Sequence, residues 1–397
     1  MALNPHILTW ARDTAGLSVD EAAHALGFKN AYDRTAAERL EALEAGKEEP
    51  SRSVLLKMAR AYHRSLLVFY LGEPPHIGDR GQDFRRAPGV KAPEYDPTLD
   101  ALIRDIRGRQ GIVKDLLEQT EPRRVDYVAS VTVDVPPAEL AHRITDRLGF
   151  SLAEFRQQAT VQAAFSYLRE KAEGSGAFVL LIGNLGSYHT NIPSGVFRGY
   201  AIADPIAPFI VVNDQDAPVA WAFTMLHELA HLWLGATGVS GGRTDTQLES
   251  YCNSVAGEML LPNREMNELD FLRRASLQET IEAVAQFASG RKISRAMVAY
   301  KLLRINVITH ARWKELDEHY EKEWIAAQAQ IATKDRKEGG PSYYVVKRHR
   351  LGPALLDLVK NSLSEGFLTH TKAGLVLGVK PRNVDPLMYT AGMRGGQ

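Results

Sequence analysis

The sequence predicts a mainly helical α+β protein of several domains. Apolar residues recur at helical spacing through most of the chain. Three short runs rich in β-branched and aromatic residues interrupt that pattern near the middle, and Pro- and Gly-rich stretches punctuate it. A length of 397 residues fits about two to four domains.

Taken in order, residues 7–15, 19–26 and 54–71 carry helical apolar spacing. Ser18 with Glu21 three residues later has the capping-box pattern, Gly27 and Gly46 read as helix stops, and Pro50–Ser51 as a further start. Residues 73–97 are rich in Pro and Gly and read as a linker or ordered loop. Helices are expected over 99–117, 137–148 and 161–172, then strands over 177–182, 197–202 and 209–212. Two further helices follow at 219–234 and 247–261, the second stopped by Pro262. Residues 265–335 read as all-helical, and the EGGP segment at 338–341 as a linker to a final small unit. The expected division is 1–75, a helical connector 76–160, a domain with helical extension 161–335, and a small helical domain 342–397.

Charge and composition narrow the function classes. Lys+Arg and Asp+Glu both total 48. Zero net charge argues against a uniformly basic nucleic-acid coat or a polybasic membrane binder, but leaves room for a small DNA-reading module. The 45% apolar content can fill real cores. A single cysteine, Cys252, excludes an intramolecular disulfide and fits a reducing compartment. The first residues show no basic region followed by an apolar run, and no run reaches about 18 apolar residues. A cytoplasmic protein with no membrane partner is expected.

The strongest chemical signal is His227-Glu228-Leu229-Ala230-His231, an H-E-x-x-H on an expected helix. Residues four apart on a helix lie about 40° from each other, so both imidazoles can reach one ion. Glu228 points about 100° from His227, a direction that suits a general base better than a ligand. A catalytic zinc takes three protein ligands, so a third is needed. The helix LESYCNSVAGEMLLP offers Glu249 and Glu258, which face opposite ways. Glu249 shares an otherwise apolar face with Cys252, Ala256 and Leu260, where a carboxylate needs a partner such as a metal. Glu258 reads as a solvated charge, and Cys252 as a small buried hydrophobe rather than a thiolate ligand.

FTMLHELAHLWL followed by LESYCNSVAGEMLLP resembles the ImmA/IrrE metallopeptidases, which pair an H-E-x-x-H helix with a downstream E-x-x-A-N-x-F-A-x-x-L-L-x-P helix. RGYAIADPIAPFIVVN is similar to the strand pair ahead of their zinc helix, and the likeness covers about residues 160–265. It departs at Cys252 and Val255, where Ala and Phe are usual, both packing positions. The resemblance implies a zincin-like domain with a small sheet. It also implies His227, His231 and Glu249 as ligands of Zn2+ (Mn2+ as the alternative), and Glu228 as the catalytic glutamate. The implied activity is that of a zinc metalloendopeptidase, in which the metal acidifies water and polarises the scissile carbonyl while Glu228 shuttles the proton to the leaving amine. An oxyanion donor is also required, and Tyr188, His189 and Tyr251 are all available.

ARDTAGLSVDEAAHALG, followed by LEALEAGKEEPSRSVLLKMARAYHRSLLVFYL, resembles an Xre/Cro-type helix-turn-helix. This implies an N-terminal DNA-reading bundle with a recognition helix drawn from 29–45 and with Lys29, Asn30, Tyr32, Arg34 and Arg39 as candidate contacts. Residues 1–70 balance nine Lys+Arg against nine Asp+Glu, and the Gly27–Gly46 interval is about two helical turns too long for the family. A protein-interaction or dimer platform is therefore the competing reading. DFRRAP at 83–88 and the segment after residue 342 resemble elements that accompany this fusion. In the latter, Thr369 or Thr371 starts a helix, Gly378 turns it, and Lys380 and Arg382 could meet phosphate. The run Lys347–Arg350 reads as a solvated strand or loop.

Two functions follow. One is a DNA-associated regulatory zinc metallopeptidase that cleaves a repressor-like protein or regulates its own operon in a stress response. The other is a DNA-binding regulator or antitoxin of a toxin–antitoxin pair, with the metallopeptidase domain as a partner-binding scaffold. The expected partners are a DNA operator, a repressor or toxin, and a second copy in a homodimer.

Overall fold

In the computed structural model, which describes residues 3–31, 34–75, 82–83, 96–120, 124–240, 246–334 and 342–389, the chain divides into two units. The first draws on residues 1–80, 89–107 and 184–192, and the second on 81–88, 108–183 and 193–397.

In the first unit, α1 (Pro5–Asp13), α2 (Val19–Ala25), α3 (Ala36–Glu44) and α4 (Arg52–Ala61) each start on a polar cap: Asn4, Ser18, Thr35 and Ser51. Ser18 and Glu21 form the capping box their spacing suggests, and Thr35 with Glu38 forms a second. The helices close on Ile7, Leu8, Leu26, Leu40, Leu55, Met58 and Phe69. The helix expected over 54–71 is two pieces. It ends at Ala61, His63 takes a φ of +50°, and a 3-10 turn covers Leu66–Tyr70. Both pieces face one core, so the apolar period runs across the break unseen. The surplus length between Gly27 and Gly46 precedes α3 rather than lengthening it. Of the expected linker, β1 (Gln82–Asp83) is described, while the DFRRAP segment beyond Asp83 lies outside the described residues.

A helix α5 (Pro97–Thr120) leads to α6 (Pro137–Leu148), α7 (Leu152–Gln157) and α8 (Val161–Gly174). The strands β2 (Phe178–Leu181), β3 (Gly199–Ile202), β4 (Phe209–Val212) and β5 (Gly238–Ser240) join β1 in a mixed sheet of order β1-β5-β3-β4-β2. β3 runs antiparallel to both β4 and β5, and β2 runs parallel to β4. β5 and β1 were not anticipated, being too short to show a period. α9 (Pro218–Trp233) packs on β3 and β4, and α10 (Thr246–Leu260) packs on α9 and α6. The stretch expected to be wholly helical is a 3-10 segment Asn263–Arg274 followed by α11 (Leu277–Arg291), α12 (Arg295–Arg304) and α13 (His310–Lys334). No helix among the described residues is long and apolar enough to cross a membrane.

The basic run 347–350 is helical, which corrects the strand-or-loop expectation. It lies in α14 (Tyr343–Leu351), followed by α15 (Pro353–Ser364), α16 (His370–Leu377) and α17 (Val384–Tyr389). Thr369 caps α16 and Gly378 ends it in the left-handed conformation. This terminal group is joined to the sheet by one buried ion pair. Phe178 and Ile182 direct their N–H groups towards the β4 side, to Pro208 and Val212, so Val179 faces the open edge of β2. There Arg169 donates to the Val179 carbonyl, and Glu173 accepts from the Val179 N–H. The same guanidinium, 3.2 Å from Glu173, donates to the carbonyls of His349 and Arg350 at the end of α14, while Glu173 accepts from Ala354 at the start of α15. A cation thus meets a helix C-terminus and an anion a helix N-terminus, the favourable sense of both dipoles.

Candidate metal centre

The chain passes from β4 into α9 through Asn213, which is fully buried. Its amide donates to the Phe197 carbonyl at 3.0 Å and its side-chain oxygen accepts from Gln215 at 2.9 Å. Trp221 Nε1 then donates to the Asp216 carbonyl at 3.0 Å, fastening the first turn. α9 packs against α8, α10, β3 and β4, so every residue from Trp221 to Trp233 except Phe223 is buried. A surface helix would bury a single stripe, whereas here only residues such as Ala220, Phe223 and Leu234 are partly exposed. The helix is enclosed all round.

That enclosure makes the polar residues on α9 notable. His227, Glu228 and His231 are 0%, 0% and 1% exposed. The two imidazoles converge with their Nε2 atoms 3.0 Å apart. Glu249, near the start of α10, places Oε2 3.2 Å from His227 Nε2 and Oε1 2.9 Å from His231 Nε2. Tetrahedral zinc ligands at about 2.0–2.1 Å stand about 3.3–3.4 Å from one another, close to these separations. Two neutral imidazoles and a carboxylate also form the borderline donor set that zinc favours. Among the described residues, His227, His231 and Glu249 therefore make a group able to hold a metal ion. Glu228 lies one residue from a ligand, its carboxylate over the start of β3 at Gly199.

Neighbouring residues sort into other roles. Cys252 is fully buried in the apolar core alongside Val255 and Ala256, as expected for packing. Glu258 is not the solvated charge that was expected. Lys301 Nζ stands 3.3 Å from its carboxylate and also donates to the Gly257 and Leu261 carbonyls at the end of α10. Of the three oxyanion candidates, Tyr251 donates its hydroxyl to the Val135 carbonyl at 2.7 Å, and burial pushes its phenol up. Tyr188 and His189 belong to the first unit, where their tilted rings lie 3.8 Å apart and Tyr188 is exposed. Gly199 passed unnoticed in the sequence. A glycine inside a β-like run ahead of the metal helix signals close approach, and was the available clue.

The four DNA-contact candidates among the described residues do not gather on one helix face. Lys29 and Asn30 precede α3 and are exposed, and Asn30 accepts from the Ala36 N–H at 2.8 Å. Arg34 is paired with Glu48 at 2.5 Å, and Arg39 on α3 stacks over Phe28 at 4.8 Å. Tyr32 lies outside the described residues. The exposed side of α3 carries Glu38 and Glu41 beside Arg39.

Residues 187–303 match the family model Peptidase M78, described as the IrrE N-terminal-like domain. The match takes in β3, β4, α9 and α10 with all four polar residues of the site, but covers under a third of the chain and none of residues 1–80. No curated protein and no solved structure matches the chain.

Proposed function

We propose that this chain is a regulatory zinc metallopeptidase acting on a protein partner such as a repressor. The observation that carries this reading is the buried group His227, His231 and Glu249 beside an equally buried Glu228, within a segment similar to a peptidase family. Three protein ligands leave a position open, the pattern of catalytic rather than structural zinc. Zinc, or manganese in its place, would supply Lewis-acid chemistry at a peptide carbonyl. Glu228 then serves as the proton carrier: its carboxylate accepts a proton from the attacking water and returns it to the leaving amine. The enclosing helices and sheet keep bulk water away and strengthen each charge interaction.

The experiment is a comparison of three variants by metal analysis and by proteolysis of candidate repressor proteins. His227→Ala and Glu249→Ala should lose bound zinc. Glu228→Gln should retain it and lose hydrolysis by about 100-fold or more. A Glu228→Gln protein that cleaves as well as wild type removes the peptidase reading.

We propose the division 1–75, 76–160, 161–335 and 342–397, with the N-terminal helices as the targeting part of a cytoplasmic, homodimeric protein. Exposed Lys29 and outward-facing Arg39 support a second reading, a DNA-binding regulator or antitoxin whose metal domain is a scaffold for a toxin. Two such contacts per protomer, four in the homodimer, would give a slope of log K against log salt of about −3.6. A mobility-shift titration on the gene's own upstream DNA checks that slope, and in this reading Glu228→Gln leaves regulation intact.

A further inference from the structure

We propose that Gly199 is a positioning residue for Glu228: the missing side chain at the start of β3 is what leaves room for the glutamate carboxylate. This rests on the peptidase reading only for its effect on rate. The packing itself is independent of it.

An ideal Cβ on Gly199 would stand 2.6 Å from Glu228 Cδ and 2.7 Å from Cγ, with Oε1 closer still, and those are the three nearest atoms. Gly199 is not among the residues with positive φ, so the backbone itself accepts alanine there. Neither partner can retreat. Gly199 is paired with Val212 of β4 on one side and Ser240 of β5 on the other. Glu228 is fully enclosed on a helix held by α8, α10 and the sheet. A methyl group at 199 therefore has to evict the carboxylate from its rotamer, while the three atoms nearest it include none of His227, His231 or Glu249. General-base catalysis depends on placement to within about 1 Å, and a displacement of that size costs about 100-fold.

The test is a double-mutant cycle on the zinc-loaded full-length protein with wild type, Gly199→Ala, Glu228→Ala and the double variant. Gly199→Ala should lower the melting temperature by several degrees in the wild-type background and by about one degree or less when Glu228 is already alanine, because the vacated space takes the methyl. Zinc affinity, read by chelator competition, should change less than about threefold in Gly199→Ala, since the three atoms nearest the added methyl all belong to Glu228. Against a cleaved substrate, kcat should fall about 100-fold with KM nearly unchanged. Equal destabilisation in both backgrounds overturns the proposal, as does a Gly199→Ala protein that fails to fold and is not restored by Glu228→Ala. Folding only in the double variant supports it. If no variant, wild type included, cleaves any protein, the peptidase reading falls while the stability cycle still decides the role of Gly199.

Discussion

Arg169 and Glu173 show how much one buried pair can be asked to do. Burial pulls the guanidinium's pKa down and pushes the carboxyl's up, each against the pull of its partner. Five backbone groups from three elements are satisfied in exchange. Glu173→Ala leaves an uncompensated cation and should cost about 3–5 kcal/mol in urea unfolding, whereas Arg169→Met with Glu173→Leu should cost clearly less than the two single changes added together. Nearby His349 has its pKa held below 6.5 by burial first and by Arg169 and Arg350, with Asp214 pulling the other way. His63 is depressed in the same sense by burial and Arg104. The unfolded chain binds these protons more readily than the folded one. The stability they contribute is therefore full above pH 6.5 and is lost as pH falls through the lowered values. Histidine C2–H titrations by NMR should place both midpoints below 6.5, and the melting temperature should fall between pH 7 and the lower of the two.

At the scale of the element, legibility followed the length of the repeating signal. β4 was readable because Phe209–Val212 is a run of four apolar residues. The two- and three-residue β1 and β5 have no period to read. The start of α2 was read from Ser18 and Glu21, while the same pattern at Thr35–Glu38 and Ser276–Glu279 went unread. Ser276 and Glu279 repeat at α11 what Ser18 and Glu21 do at α2. Ser276→Ala should lower stability by about 1 kcal/mol in thermal or chemical unfolding. In the metal site, His227, His231 and Glu249 could be found because ligand spacing on one helix, and a lone carboxylate on an apolar face, are local features. The contact between Gly199 and Glu228 could not, because it joins residues 29 apart in sequence through the register of β3 under α9. The run Lys347–Arg350 misled for a related reason. Its charge suggested solvent, yet Arg350 pairs with Asp214 at 2.5 Å and its backbone is held from α8.

At the scale of the whole molecule, the second unit gathers residues from both ends of a long stretch of chain, and α14 packs against β2 although more than 160 residues separate them. Deleting residues 342–397 should strip the Arg169–Glu173 pair of its helical partners, lower the melting temperature by several degrees and increase light scattering on heating, since an uncovered strand edge pairs readily with other chains. The same arrangement sets a timetable during synthesis. At about 5–20 residues per second, the edge of β2 waits roughly 10–30 s before the helix that covers it has been made. Throughout that interval Arg169 and Glu173 lack the backbone groups of α14 and α15 that share their charge, and a chain released before α14 is made keeps that pair and its strand edge open to water.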